Sequence, residues 1–240
     1  MSIQTVFKRY ELKYMLTAQQ KERMLQAMEP HMALDQYGRT VIRNIYFDTD
    51  DYRLIRHSIE KPAYKEKLRI RSYRQAQPGS PVFVELKKKY KKVVYKRRIS
   101  LPEEEAMKWV AGELPCRNES QISEEVDYFL DYYKDLRPVG FLSYEREAYY
   151  GKEQPDFRVT FDSNVLFRQE ELSLESEVYG DPLLPKDCSL MEIKCSGAIP
   201  MWMVRTLSRE RIYKTSFSKY GTAYRTIIYP NLVKEEAIHA

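Results

Sequence analysis

Two hydrophobic periods alternate along the chain. The AQQKERMLQAM stretch (18–28) reads as an α-helix, with Thr17 and Gln20 spaced as a capping box before it and Pro30 closing it. Helices are also predicted over 49–60, 102–112, 122–136 and 200–210, and a short one over 218–228. The segment 122–136 carries Ile122, Val126, Phe129, Leu130 and Tyr133 on one face. Elsewhere the period drops to two, with frequent tyrosine. Strands are predicted near 5–14, 41–47, 64–75, 81–91, 92–100, 138–150, 156–162, 164–168 and 188–195. So many strands, with helices inserted between them, argue for an α+β fold on a large antiparallel sheet or β-barrel flanked by helices. No repeat or Pro/Gly-rich linker interrupts the chain, which reads as a single domain over 1–240.

The polar positions of those strands are dominated by one charge. Glu11 and Lys13 alternate with Tyr10, Leu12 and Tyr14; Arg69 and Arg71 alternate with Leu68 and Ile70; Glu85 and Lys87 alternate with Val84 and Leu86. Lys96 and Arg98 share a face, Arg146 follows Tyr144 by two, Arg158 adjoins Val159, and Glu192 and Lys194 flank Ile193. A half-buried strand with a wet, charged side produces this alternation too. Solvated faces usually mix in serine and threonine, however, and like charges abreast on a sheet repel. Six such strands side by side call for a compensating anion, and the interspersed Glu11, Glu85 and Glu192 could hold a divalent ion beside it. Periodicity alone leaves open whether the charged face points inward or outward.

Bulk charge narrows the partners. Net charge is only +5, from 40 basic and 35 acidic residues, so any cationic character is local. With no RNP-type or helix-turn-helix signature, nucleic acid is not the expected partner. Three cysteines without metal-ligand spacing suit a reducing compartment. The N-terminus lacks signal-peptide character and no apolar run is long enough to span a bilayer, so the expected location is cytoplasmic. The three histidines are scattered and suggest no catalytic base.

In their order along the chain, RYELKY (9–14), IYFDT (45–49), KLRIRSY (67–73), FVELKKK (83–89), VVYKRRISL (93–101), YEREAY (144–149), RVTFD (158–162), MEIKCSGAIPMW (191–202) and FSKYG (217–221) resemble the VTC domain. This is the polyphosphate polymerase module of the triphosphate tunnel, CYTH-like superfamily. The resemblance implies an antiparallel β-barrel tunnel with a cation-lined interior. It implies transfer of the γ-phosphate of ATP to a growing polyphosphate chain, with no side chain acting as nucleophile. Lys13, Arg69, Arg71, Lys87, Arg146, Arg158 and Lys219 match catalytic cations of that family. Glu11, Lys96, Arg98, Tyr144, Lys194 and Ser218 are the expected phosphate or nucleotide contacts. Glu192, and with it Glu85, is the expected ligand of Mn²⁺ or Mg²⁺.

ATP and polyphosphate are thus the implied partners. Eukaryotic members work in membrane complexes, so the resemblance allows a membrane partner protein, although this chain carries no span of its own. Hydrolytic relatives open with Glu-x-Glu-x-Lys, whereas this chain has Arg9-x-Glu11-x-Lys13. One acid fewer on that strand favours the polymerase over its alternatives, a triphosphate or polyphosphate hydrolase or a non-catalytic polyphosphate-binding module. Asp48 and Thr49 read as helix caps, and the lysines at 88, 89, 91 and 92 as a solvated hairpin tip.

Overall fold

A computed structural model describes residues 10–91 and 93–239; residues 5–9 of the first expected strand, Arg9 and Lys92 lie outside them. Strand β1 (Tyr10–Thr17) runs directly into helix α1 (Ala18–Met28) through the expected capping box. The Thr17 side chain accepts from the Gln20 backbone, and the Gln20 side chain accepts in return from the Thr17 backbone. Chain contacts group the protein into two compact units, each assembled from three segments.

The first unit takes residues 1–41, 144–165 and 184–217. It holds β1, α1, the first part of β2 (Met32–Asp48), the second part of β6 (Arg137–Gly151) and most of β7 (Arg158–Arg168). It also holds β9 (Cys188–Cys195), α5 (Met201–Arg209) and the two-residue β10 (Lys214–Thr215). The strand order is β10–β1–β9–β7–β6–β2, and β1 pairs antiparallel with both β9 and β10. Alternate residues Tyr14, Leu16, Met191, Ile193, Val159 and Phe161 point to one side, where Met24 and Met28 of α1 and Met203 and Leu207 of α5 close over them. Each fully buried side chain of this kind contributes about 1.5–3 kcal/mol.

The second unit takes residues 42–143, 166–183 and 218–240. After the end of β2 come α2 (Arg53–Ile59), β3 (Tyr64–Ser72), β4 (Pro81–Tyr90), β5 (Val93–Pro102), α3 (Glu103–Val110), α4 (Gln121–Tyr133) and the start of β6. The tail of β7 pairs with β8 (Asp181–Pro182), and α6 (Lys219–Ala223), a π-helical turn over 224–228 and α7 (Tyr229–His239) end the chain. The order here is β7–β6–β2–β3–β4–β5. Ile45, Phe47, Leu68, Ile70, Val84, Leu86, Ile99 and Leu101 form the apolar side, covered by Trp109 of α3 and by Val126 and Phe129 of α4.

The α+β, antiparallel expectation holds. In neither unit does the described pairing join the last strand back to the first, so the orders run as open paths ending at β10 and at β5. Three local differences have physical causes. Strand β2 begins nine residues earlier than the 41–47 pattern predicts, because its MALDQYGRT half is largely polar, with Gly38 at φ +59°, and is poor in β-formers. Strand β7 is one strand rather than two, passing through Asn164 at φ +47°, a residue that tolerates the left-handed region. The two-residue β8 and β10 are too short to carry any period.

Candidate functional site

Alternation sends every second residue of β2–β5 away from α3 and α4, and the pairing register lines these residues up in rows across the second unit. Asn44 lies beside Arg71, and Arg71 opposite Phe83. The next row reads Tyr46, Arg69, Glu85, Arg98. Beyond it Lys67, Lys87 and Lys96 stand abreast on three adjacent strands, three like charges with no acid among them. The sheet thus places five expected residues, Arg69, Arg71, Lys87, Lys96 and Arg98, on one face with Glu85 at its centre.

Glu85 is 1% exposed and shared by four cations. Arg69 donates from Nε (3.0 Å) and Nη2 (2.8 Å) to Oε2. Arg71 Nε is 3.7 Å from the same oxygen. Lys96 Nζ lies 2.6 Å and Arg98 Nε 3.8 Å from Oε1. Burial would raise the Glu85 carboxyl, but Arg69, Arg71 and Lys96 outweigh it and hold the group well below the usual carboxylate range. The same crowding acts on Lys96. Although 39% of its side chain is exposed, desolvation of the ammonium, with repulsion from Arg71 and Arg69, brings it to about 8 against the pull of Glu85.

Neutral groups complete this face. Arg71 Nε donates to Asn44 Oδ1 (2.8 Å), and buried Asn44 donates in turn to the Leu142 carbonyl (2.8 Å). Arg69 Nη1 donates to the Tyr46 hydroxyl (3.0 Å), and the Tyr46 ring stacks on Tyr220 at 4.6 Å. Burial pushes the Tyr46 phenol up, yet Arg69, Lys67 and Arg71 pull it down to about 8. Lys67 Nζ donates to Ser218 Oγ (3.2 Å), and Ser218 caps α6, of which Lys219 is the first residue. Arg98 lies over Phe83, its Cζ 3.5 Å from the ring centroid.

The polar face of the first unit is built differently. Across β1, β9 and β7 the register gives Glu11–Lys194–Arg158 and Lys13–Glu192–Thr160, rows in which each glutamate stands beside a lysine. Lys13 Nζ donates to the Phe217 carbonyl (2.8 Å), and Lys194 Nζ is 3.4 Å from Glu192 Oε2. Arg158 is exposed. Arg146 grips Asp162 with two bonds (Nε to Oδ1, 2.6 Å; Nη2 to Oδ2, 2.7 Å) and lies 5.0 Å from the Tyr144 ring centroid. Burial would lower the Arg146 guanidinium, but Tyr144, Asp162 and Glu192 raise it well above its usual value.

Among the described residues no three His, Cys, Asp or Glu side chains gather into a metal cage. A Mg²⁺-type ion needs only one or two carboxylates when phosphate oxygens supply the rest; Glu192 lies opposite Lys13 in register and 3.4 Å from the Lys194 ammonium. Glu85, ringed by cations, does not suit such an ion.

Tyr46, Lys67, Asn44 and Asp162 belong to these faces although no site role was expected of them. The same-face period signalled Lys67 two residues ahead of Arg69 in KLRIRSY, and Asp162 four residues behind Arg158 in RVTFD. Asp48 and Thr49 cap α2 as expected. Asp48 accepts from Leu54 N (2.8 Å) and Ile55 N (3.0 Å), and Thr49 Oγ1 accepts from Arg53 N (2.9 Å).

The family model described as "VTC domain" matches residues 8–228. No curated protein matches the chain. Among solved structures, the chain is similar to a putative adenylate cyclase from Bacillus halodurans, with 16% identity and a TM-score of 0.55 over 90% of this chain and 96% of that one. It is also similar to a putative adenylyl cyclase from Hippeastrum described as having a dominant triphosphatase activity, with 16% identity and a TM-score of 0.53 over 90% of this chain and 94% of that one. At these identities the likeness is one of fold.

Proposed function

The chain belongs to the VTC domain family, and from that premise we propose that it is a metal-dependent polyphosphate polymerase acting as one module. A terminal oxygen of the polyphosphate chain attacks the γ-phosphorus of ATP. The bond from that phosphorus to the β–γ bridging oxygen breaks, and ADP leaves. The observation that carries the proposal is the row Lys67–Lys87–Lys96 beside the arginines around Glu85. So many like charges on adjacent strands, with one buried carboxylate among them, favour a multivalent anion across the face. A chain of phosphates supplies negative charge at short repeats, and arginine forks match its oxygens.

In this reading Arg69, Arg71, Lys87, Lys96, Arg98, Ser218 and Lys219 of the second unit contact phosphate. So do Lys13, Tyr144, Arg146, Arg158 and Lys194 of the first, with Glu11 beside Lys194. These groups bind, orient and neutralise charge, which is where most of the catalysis of phosphoryl transfer lies. Glu192 would hold Mn²⁺ or Mg²⁺ together with phosphate oxygens; such an ion, when bound, offsets the charge gathering on the transferred group. Among the described residues no helix is long and apolar enough to cross a membrane.

Hydrolysis of triphosphate is the second reading, supported by the activity of the Hippeastrum protein on a similar fold. Incubation with ATP and Mn²⁺ or Mg²⁺, with products resolved, separates the two. Polyphosphate with matching ADP is the expected result. Free phosphate without polymer overturns polymerisation in favour of hydrolysis. Tripolyphosphate binding without any turnover leaves a binding module.

A further inference from the structure

A divalent ion seeks oxygens whose charge is still available. Glu85 offers none: Arg69 and Arg71 approach Oε2, and Lys96 and Arg98 approach Oε1, all within 4 Å. An ion placed at this carboxylate would stand against four positive charges. The disagreement with the metal-ligand expectation has a constructive side. Arg69 and Arg98 flank Glu85 in register on either strand, while Arg71 and Lys96 reach it from the neighbouring rows. On Arg69, two N–H groups go to one Glu85 oxygen and a third to the Tyr46 hydroxyl, which fixes the plane of the guanidinium.

We infer that Glu85 is a positioning residue, a buried internal anion that gathers Arg69, Arg71 and Lys96 on one face before a polyphosphate arrives. The inference deepens the function proposed above and rests on it for the identity of the ligand. Without the carboxylate, the guanidinium and ammonium groups repel one another and turn toward water, and an incoming chain has to collect them itself. Preorganisation of that kind raises affinity by removing the cost of collecting the cations at the moment of binding.

The test compares the full chain with Glu85→Gln and Glu85→Asp by titration with inorganic tripolyphosphate, by Mn²⁺ binding and by circular dichroism. Glu85→Gln should stay folded, bind Mn²⁺ as wild type does, and bind tripolyphosphate about 10- to 100-fold more weakly, in line with loss of charge-assisted contacts. Glu85→Asp, which keeps the charge but not the reach, should fall between. Loss of Mn²⁺ affinity in Glu85→Gln would make Glu85 a metal ligand after all and overturn the inference. Tighter tripolyphosphate binding would make it a competitor of the substrate, and reduced stability with unchanged affinity would make it purely structural; either result also overturns it. Should Glu85→Gln not fold, Glu85→Asp decides: weaker tripolyphosphate binding with normal Mn²⁺ binding supports the inference, and wild-type affinity overturns it. A wild type that binds tripolyphosphate but converts no ATP overturns the catalytic reading alone, and the Glu85 comparison still stands. A wild type that does not bind tripolyphosphate overturns both.

Discussion

Arg146 and Asp162 meet as a two-pronged fork, 2.6 and 2.7 Å long, on a carboxylate that is fully buried. A pair in this setting adds little over a well-packed apolar pair, but removing one member strands the other. Asp162→Asn is therefore expected to lower stability by about 3–5 kcal/mol in denaturant unfolding. Wild-type stability would show that Arg146 readily finds a replacement anion.

Arg69 and Arg71 differ in what they leave behind. Side-chain exposure is 19% for Arg69 and 7% for Arg71, and Arg71, unlike Arg69, donates to the buried Asn44 Oδ1. Arg69→Ala should weaken tripolyphosphate binding about 10- to 100-fold with an intact far-ultraviolet spectrum. Arg71→Ala should weaken it comparably and also lose about 1–3 kcal/mol of stability by taking the Arg71 donor from the buried Asn44 Oδ1. Unchanged binding in both variants would mean that this face is not the anion site.

Tyr46 offers a pH signature. Its phenol titrates near 8 in the folded protein and near 10 unfolded. Between those values the unfolded chain binds more protons, so the Tyr46 contribution is fully present above about 10 and fades as pH falls toward 8. Tyrosinate difference absorbance should show one group titrating near 8, absent in Tyr46→Phe, and the variant's stability should rise less across the same window. Identical titrations of the two proteins would refute this. The Lys96 ammonium titrates near 8 as well, so tripolyphosphate affinity should decline above that pH as one cation is lost.

Asp48 joins two distant stretches of the second unit. It caps α2 and accepts from the Tyr220 hydroxyl at 2.9 Å. Asp48→Ala removes the cap and strands that hydroxyl, for an expected loss of about 2–4 kcal/mol, whereas Tyr220→Phe removes only one bond and should lose about 1–2 kcal/mol. Thermal unfolding of both variants checks the order.

Much of this was legible because strand alternation is a strong local signal. Strand β9 falls on its expected 188–195 span, and the Thr17–Gln20 box marks the start of α1 to the residue. The shared face of Arg69, Arg71, Glu85, Lys87, Lys96 and Arg98 follows from period two, but their rows follow from register, which no single strand encodes. Hence Glu85 read as a metal ligand: its acid stands out among cations in the sequence, whereas its four partners come from β3 and β5. Tyr46 passed as one more strand tyrosine, since the stacking on Tyr220 and the bond to Arg69 are tertiary.

The rows across β3–β5 also set a stride. Rungs recur every second residue, about 6.6–6.8 Å apart along the strands and about 4.8 Å between them, from Arg71 through Lys67 to the Lys65–Lys89 pair. An orthophosphate ion can stand on one rung only, while a longer chain spans several at once. Affinity on such a ladder climbs in steps with the number of phosphates, through effective concentration rather than through any better single contact. Under the proposed polymerase function, such a ladder would measure the length of what it holds, and each phosphate added to the chain would tighten the grip on the product just made.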